Sequence, residues 1–190
     1  MTRKLIPSHW QTEHLLITDS TLTEAKALQA INDIVPQTQS WMQGGAVENP
    51  DCSMRQVIEQ GDLPPVPEPS LEYFRLQSIR LISSNALVGF WAAYHGFPTQ
   101  DVFWMSVITF HPDYQGMGYG PELFLALSEI VRELGCYTCM RSYVSLDNWP
   151  SLKLCIKVGM NKMLEVAGDP VHSDQAHILL EKTIQSGSGL

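Results

Sequence analysis

The stretch Phe110-His-Pro-Asp-Tyr-Gln-Gly-Met-Gly-Tyr-Gly-Pro-Glu-Leu123 decides how the rest of this chain is read. Leading into it, Val102-Phe-Trp-Met-Ser-Val-Ile-Thr-Phe110 is a near-continuous apolar run, the pattern of a strand covered on both faces. Beyond it, Leu123, Leu127, Ile130, Val131 and Leu134 recur at helical spacing, and Gly135 supplies the stop. Between strand and helix stand glycines at 116, 118 and 120. Glycine allows close backbone approach and positive φ. The free N–H groups of a helix start, with the helix dipole behind them, form an anion site that suits a diphosphate. The same glycines also suit a tight strand–helix turn that holds no ligand. Glu122 complements the dipole but would repel a phosphate beside it, so its side chain is expected to point away.

Two familiar diphosphate loops are excluded by the residues. A Walker loop ends in Gly-Lys-Ser/Thr, whereas Gly120 is followed by Pro121-Glu122. A G-x-G-x-x-G fingerprint starting at Gly116 needs glycine at 121, where proline stands.

Outward from this segment, the pattern predicts α/β structure with a mixed central sheet. Thr12 to Ile17 reads as a first strand, and Thr21 or Thr23 is placed to cap a helix from Glu24 to about Ile34. Pro36 to Glu68 is polar, contains Gly44-Gly45 and several prolines, and holds one helical piece, Ser53 to Gln60; such a stretch reads as a binding loop or mobile segment. Tyr73 to Ile82 and Leu87 to His95 are aromatic-rich strands joined by the hairpin signal Ser83-Ser-Asn-Ala86. After the motif helix come a strand from Tyr137 to Val144 and a short helix from Pro150 to Lys157. Met160 to Val166 and His177 to Lys182 then form a closing strand pair. Residues 1–184 read as a single domain and 185–190 as a disordered tail.

Composition narrows the classes. A chain of 190 residues buries roughly 70% of its unfolded surface as one domain. With 44% hydrophobic and 17% charged residues it is globular. The balance of 12 Lys+Arg against 20 Asp+Glu, a net charge of −8, argues against nucleic acid and anionic membrane as partners. There is no run of about 20 apolar residues to span a bilayer. Met1-Thr-Arg-Lys-Leu-Ile-Pro7 carries basic residues with no apolar run behind them, so no secretory signal is expected and the location is read as cytoplasmic. Cys52, Cys136, Cys139 and Cys155 do not make a disulfide framework. Cys136-Tyr-Thr-Cys139 lacks the second pair of a zinc site and lies at a strand start, where its thiols should face opposite ways. No metal is expected.

Gln115-Gly-Met-Gly-Tyr-Gly120 resembles the Q/R-x-x-G-x-G/A acetyl-CoA-binding motif of the GNAT N-acetyltransferase superfamily, and Phe110-His-Pro-Asp-Tyr114 resembles that family's lead-in. A second block, Asp147-Asn148 with Ser151, Leu154, Gly159 and Met160, is similar to the family pattern D-N-x-x-A/S-x-x-L-Y-x-x-x-G-F. Thr12-Glu-His-Leu-Leu-Ile17 resembles the T-E-R-L-x-L opening of members related to ribosomal-protein alanine N-acetyltransferases, so the likeness spans about residues 12 to 183.

The resemblance implies a mixed, mostly antiparallel central sheet flanked by helices, with a V-shaped splay between the two central strands. It implies acetyl-CoA as co-substrate, with pantetheine bonding the backbone of Ile108 and Phe110 and pyrophosphate on the amides of Gln115, Gly116, Met117, Gly118, Tyr119 and Gly120. Asn148 matches the asparagine near the pantetheine arm, with Ser151 one turn on, although Asn148 equally suits a helix cap. Lys153 and Lys157 are the nearest cations in sequence for CoA phosphates, or else a solvated helix face. Exposed edge strands and the family likeness point to a homodimer.

The implied reaction is direct attack of an amine on the acetyl thioester, which needs a route for the amine proton and donors for the oxyanion. The chain departs from the family twice. Cys155 stands where a tyrosine acid is common, and Trp104 stands where some members carry a glutamate base. Cys155 and Tyr143 are the candidate catalytic side chains, each with ordinary packing as the alternative; Ser106, His95 and His111 rank below them. Trp41, Met42 and Gly61-Asp-Leu-Pro-Pro65 belong to the region expected to shape the acceptor pocket. Asp51, Glu59, Asp62, Glu68 and Glu72 nearby favour a cationic amine such as a polyamine, an aminoglycoside or a protein N-terminus. Two other readings compete: a CoA-binding sensor or interaction module without turnover, and a structural domain with a glycine turn.

Overall fold

A computed structural model describes residues 3–35, 53–169 and 176–184. Its strands are β1 (His9–Gln11), β2 (Leu15–Asp19), β3 (Phe74–Leu81), β4 (Leu87–His95), β5 (Val102–Phe110), β6 (Cys139–Ser145), β7 (Lys162–Gly168) and β8 (Ala176–Thr183). Its helices are α1 (Ala25–Ile34), α2 (Met54–Gln60), α3 (Tyr119–Leu134) and α4 (Trp149–Lys157). The strands form one sheet in the order β1-β2-β3-β4-β5-β6-β8-β7. Every pairing is antiparallel except β5 with β6, which α3 joins as a crossover. This is the mixed, mostly antiparallel sheet flanked by helices that the motifs imply.

The apolar run of β4 is continuous because both of its faces are covered. Phe90, Ala92 and Tyr94 meet Leu28 and Ile31 of α1 and Met54 and Val57 of α2. Trp91 and Ala93 face the larger cluster, with Leu123, Leu127 and Val131 of α3 and Cys155 of α4.

The decisive feature lies between β5 and β6. They pair only at Val102↔Cys139, Phe103↔Met140 and Trp104↔Arg141. Beyond Trp104, β5 stays paired with β4 but carries one extra residue: Ala93 faces Met105 and Ala92 faces Val107, leaving Ser106 as a bulge. A bulge bends and twists its strand. β5 therefore follows β4 and leaves β6, and the sheet opens into a V.

Some local expectations need correction. The strand expected from Thr12 is β2 and starts at Leu15, because Thr12–His14 form the turn after β1, a three-residue strand with only Trp10 inward and too short for alternation to reveal it. Neither Thr21 nor Thr23 caps α1. Instead the Glu24 carboxylate accepts from the Thr21 N–H and hydroxyl, both at 2.9 Å, and the helix starts with no side-chain cap. Ser53 does cap α2, through a capping box with Gln56. Residues 36–52, including Gly44-Gly45, and the tail 185–190 lie outside the described residues.

The closed end of the V is locked by His95, fully buried, whose Nδ1 lies 2.6 Å from the Tyr137 hydroxyl and whose Nε2 accepts from the Ile6 N–H at 3.4 Å. Burial, helped by the charges of Arg75 and Arg3, pushes its pKa down to about 3, so the ring is neutral, with its proton on Nδ1. A histidine held below its ordinary 6.5 contributes stability that is complete above that value and is lost as pH falls towards 3. Urea unfolding between pH 6.5 and 4.5 should show wild type losing about 1.4 kcal/mol per pH unit more than His95→Gln; equal slopes would place the His95 charge outside the folding equilibrium.

Candidate active site

The His111 N–H donates to the Val88 carbonyl at 2.8 Å. Backbone groups alternate sides along an antiparallel strand, so those of Thr109 also face β4 and those of Ile108 and Phe110 face the open V. The Phe110 carbonyl is taken by the Gln115 side-chain amide at 2.8 Å, which ties the turn back to the strand end. The chain then makes a 3₁₀ turn, Pro112–Tyr114, with His111 Nδ1 accepting from the Asp113 N–H at 3.3 Å. His111 is thereby occupied in the turn.

Gly116 (φ 75) and Gly118 (φ 90) are left-handed, and a Cβ at either would meet nothing within 4 Å. Backbone conformation, not space, requires glycine there. At Gly120 a Cβ would lie 3.5 Å from Leu154 Cδ2, an ordinary contact by which α3 approaches α4. The N–H groups of Gly116, Gly118, Tyr119 and Gly120 have no acceptor among the described residues, whereas that of Gln115 donates to Pro112. The free array thus begins one residue later than the motif.

Glu122 points away, as its charge demands. It accepts from the Thr12 hydroxyl and from the His14 N–H at 2.9 Å, and lies 3.0 Å from His14 Nδ1. Partial burial alone would raise its pKa, and the bonds from Thr12 and His14 more than reverse that. The carboxylate fastens the β1–β2 turn to the helix start without facing the amides.

Across the V, Asn148 Oδ1 accepts from the Ser151 N–H at 3.2 Å, so this side chain caps α4. Cys155 is buried in the main core, and burial pushes its thiol up to about 11. Lys153 and Lys157 stand on the solvated face of α4. Ser106 is the half-buried bulge residue, and His95 is far off at the closed end. Tyr143 lies two residues past the last β5–β6 pair, 39% exposed, its ring edge-on to Trp104 at 5.6 Å. Burial and the negative charge of the nearby Glu165 carboxylate raise the pKa of its phenol. Glu165 carries no signal in the sequence, because only strand register brings it to Tyr143.

Of the acidic residues expected near the acceptor region, Glu59 pairs with Arg55 at 3.1 Å, Glu68 and Glu72 are exposed, and Asp62 is half-buried with its pKa pushed up to about 6. Trp41, Met42 and Asp51 lie outside the described residues, as does Cys52. Cys136 is exposed and Cys139 buried, both free. Among the described residues no cluster of His, Cys, Asp or Glu is arranged to hold a metal, and no helix is long and apolar enough to cross a membrane.

An unpaired strand edge facing the capped start of a helix, with free amides at its mouth, can take an extended ligand that carries an anion. The chain belongs to the GNAT acetyltransferase family, whose model matches residues 50–160, and the co-substrate of that family is acetyl-CoA. Solved structures agree on the fold. A Vibrio cholerae protein provisionally described as a ribosomal-protein-serine acetyltransferase is 19% identical with TM-score 0.69, covering 96% of this chain and 99% of its own. RimL, a ribosomal-protein alpha-N-acetyltransferase in complex with coenzyme A, is 13% identical with TM-score 0.68 and coverages of 96% and 99%. AAC(6')-Ib in complex with ribostamycin and coenzyme A is 17% identical with TM-score 0.65 and coverages of 92% and 96%. Among curated proteins, no sequence matches this chain.

Because the Glu122 pKa is held below 4.5, the stability it contributes is present above that value and fades as pH falls through the folded pKa. Glu122→Gln is therefore expected to cost about 1 kcal/mol at pH 7 in urea unfolding, with the gap closing as pH falls below 4.5. A pH-independent difference would mean that the charge does not act.

Proposed function

We propose that this enzyme moves the acetyl group of acetyl-CoA to a primary amine, on a small molecule or a peptide or protein N-terminus, by direct attack. The observation that carries this reading is the V between β5 and β6, with its free amides at one end. In this reading the backbone of Ile108 and the Phe110 N–H hold the pantetheine arm as a partner strand would. The amides from Gly116 to Gly120 hold the pyrophosphate, and Asn148 and Ser151 form the opposite wall. The bulge at Ser106 takes a backbone amide off the ladder near the point of divergence, where a thioester oxyanion needs a donor.

The acceptor preference is for a cationic amine. The net charge of −8 and the half-buried Asp62 support it. So does the range of the compared structures, one named for protein alpha-amine acetylation and one holding ribostamycin. Met163 and Val166, exposed on edge strand β7, support a homodimer. The second reading, a CoA-binding sensor without turnover, draws on Cys155: in the core, with its thiol at about 11, it is a poor proton donor.

Calorimetric titration with acetyl-CoA should give saturable binding. Gly118→Glu, which puts a carboxylate and a strained φ at the amide array, should weaken it roughly 100-fold or more. A native circular dichroism spectrum in the variant separates this loss from unfolding. Wild type that fails to bind either acetyl-CoA or CoA would overturn both the enzyme and the sensor readings. Binding without thiol release on any amine would favour the sensor.

A further inference from the structure

The proposed reaction needs a group to take the ammonium proton, and the usual places are filled by Trp104 and a buried Cys155. The sheet supplies another. Tyr143 on β6 and Glu165 on β7 both register with Leu179 on β8, one from each side. Residues directly opposite in a sheet share a face, so the phenol and the carboxylate flank Leu179 on one surface. Trp104, registered with Arg141 two residues before Tyr143, belongs to the same surface, the one that carries α1 and α2 further along the sheet. Tyr143 stands just where β5 and β6 part, on the side of the V away from α3 and α4.

The charges on this surface leave Glu165 available. Arg141 and Lys162 share the face, but both are bound to Glu181, each at 2.7 Å. Glu181 is buried between them, so that cluster is closed on itself. Among the described residues Glu165 has no cation partner, and its charge acts on the Tyr143 phenol. His177, two residues along β8 from Leu179, is the remaining titratable side chain of this row, and it is half-buried. An exposed carboxylate on the same face as a phenol at the fork, with an aromatic wall beside them, suits an incoming ammonium group.

We propose that Glu165 and Tyr143 form the acceptor station of the enzyme, Glu165 receiving the ammonium group and its proton and Tyr143 relaying a proton to the departing sulfur. This rests on the acetyl-transfer reading above. Glu165 takes one proton from R–NH₃⁺, leaving a neutral amine. The nitrogen lone pair forms the C–N bond and the carbonyl π pair moves to oxygen. As that pair returns, the C–S bond breaks with its electrons on sulfur. Tyr143 gives its proton to sulfur and receives the second nitrogen proton, ending neutral, and Glu165 releases its proton to water. The products are the acetamide, the CoA thiol and one proton. The raised phenol pKa keeps Tyr143 protonated and able to donate throughout the neutral range.

The test compares wild type, Glu165→Gln, Glu165→Asp and Tyr143→Phe. Each is titrated with acetyl-CoA by calorimetry and assayed for thiol release with spermidine, an aminoglycoside and an alanine-initiated peptide. Acetyl-CoA affinity should stay within about twofold in all four, which also reports a native fold, because neither residue lies on the amide array. With the amine that wild type uses, kcat/KM should fall roughly 100-fold in Glu165→Gln and about 10-fold in Tyr143→Phe, with partial rescue in Glu165→Asp. Turnover in Glu165→Gln within about threefold of wild type would overturn the station and leave the acetyl-transfer reading intact. Wild type that binds acetyl-CoA but releases no thiol with any of the amines would overturn the acetyl-transfer reading itself, and the station with it.

Discussion

Everything in this molecule that bears on function follows from one broken ladder. A parallel pair of strands normally pairs along its length, and an unpaired buried backbone amide or carbonyl costs on the order of 1–3 kcal/mol. Here β5 and β6 part after Trp104 and Arg141, two residues before the bulge at Ser106. Ser106, inserted between Met105 and Val107, bends β5 at that point while β5 keeps its pairing with β4. Its longer antiparallel pairing with β4 wins. The edge from there to Phe110 is left without a partner strand among the described residues. The same divergence brings the start of α3 to one end of the opening and the start of α4 to its far wall.

The local electrostatics are arranged against the global charge. A protein of net charge −8 does not attract a polyanion by its overall field. Short-range donors must do so, and the unpaired N–H groups around Gly118 are of that kind. The nearest carboxylate, Glu122, would cancel them if it faced forward. Thr12 and His14 hold it backward, and so the β1–β2 turn, far away in sequence, keeps a carboxylate off these amides. The two faces of the sheet divide the work. On one, α3 and α4 close a single large core that absorbs Cys155; on the other, α1 and α2 cover only part of the surface and leave Tyr143 and Glu165 accessible.

The amino-acid sequence by itself determined the strand–glycine turn–helix unit, because each of its parts is a local matter: apolar continuity for β5, positive φ at Gly116 and Gly118, helical periodicity from Leu123, and a left-handed stop at Gly135. It also foretold that Glu122 must turn away, since charge and dipole are readable without coordinates. Other features depend on partners distant in the chain, and only the tertiary structure decided them. The Asn148 side chain became a helix cap, a choice between two local roles that the sequence left open. Cys155 went into the core because α4 presses that face against the sheet. Three-residue β1 exists only because β2 is there to pair with it. The meeting of Tyr143 with Glu165 needs the registers of three strands at once, β6 on β8 and β8 on β7, with Leu179 as the shared rung. A one-residue slip in either pairing would send one of the two side chains to the opposite face, and no local pattern records that register.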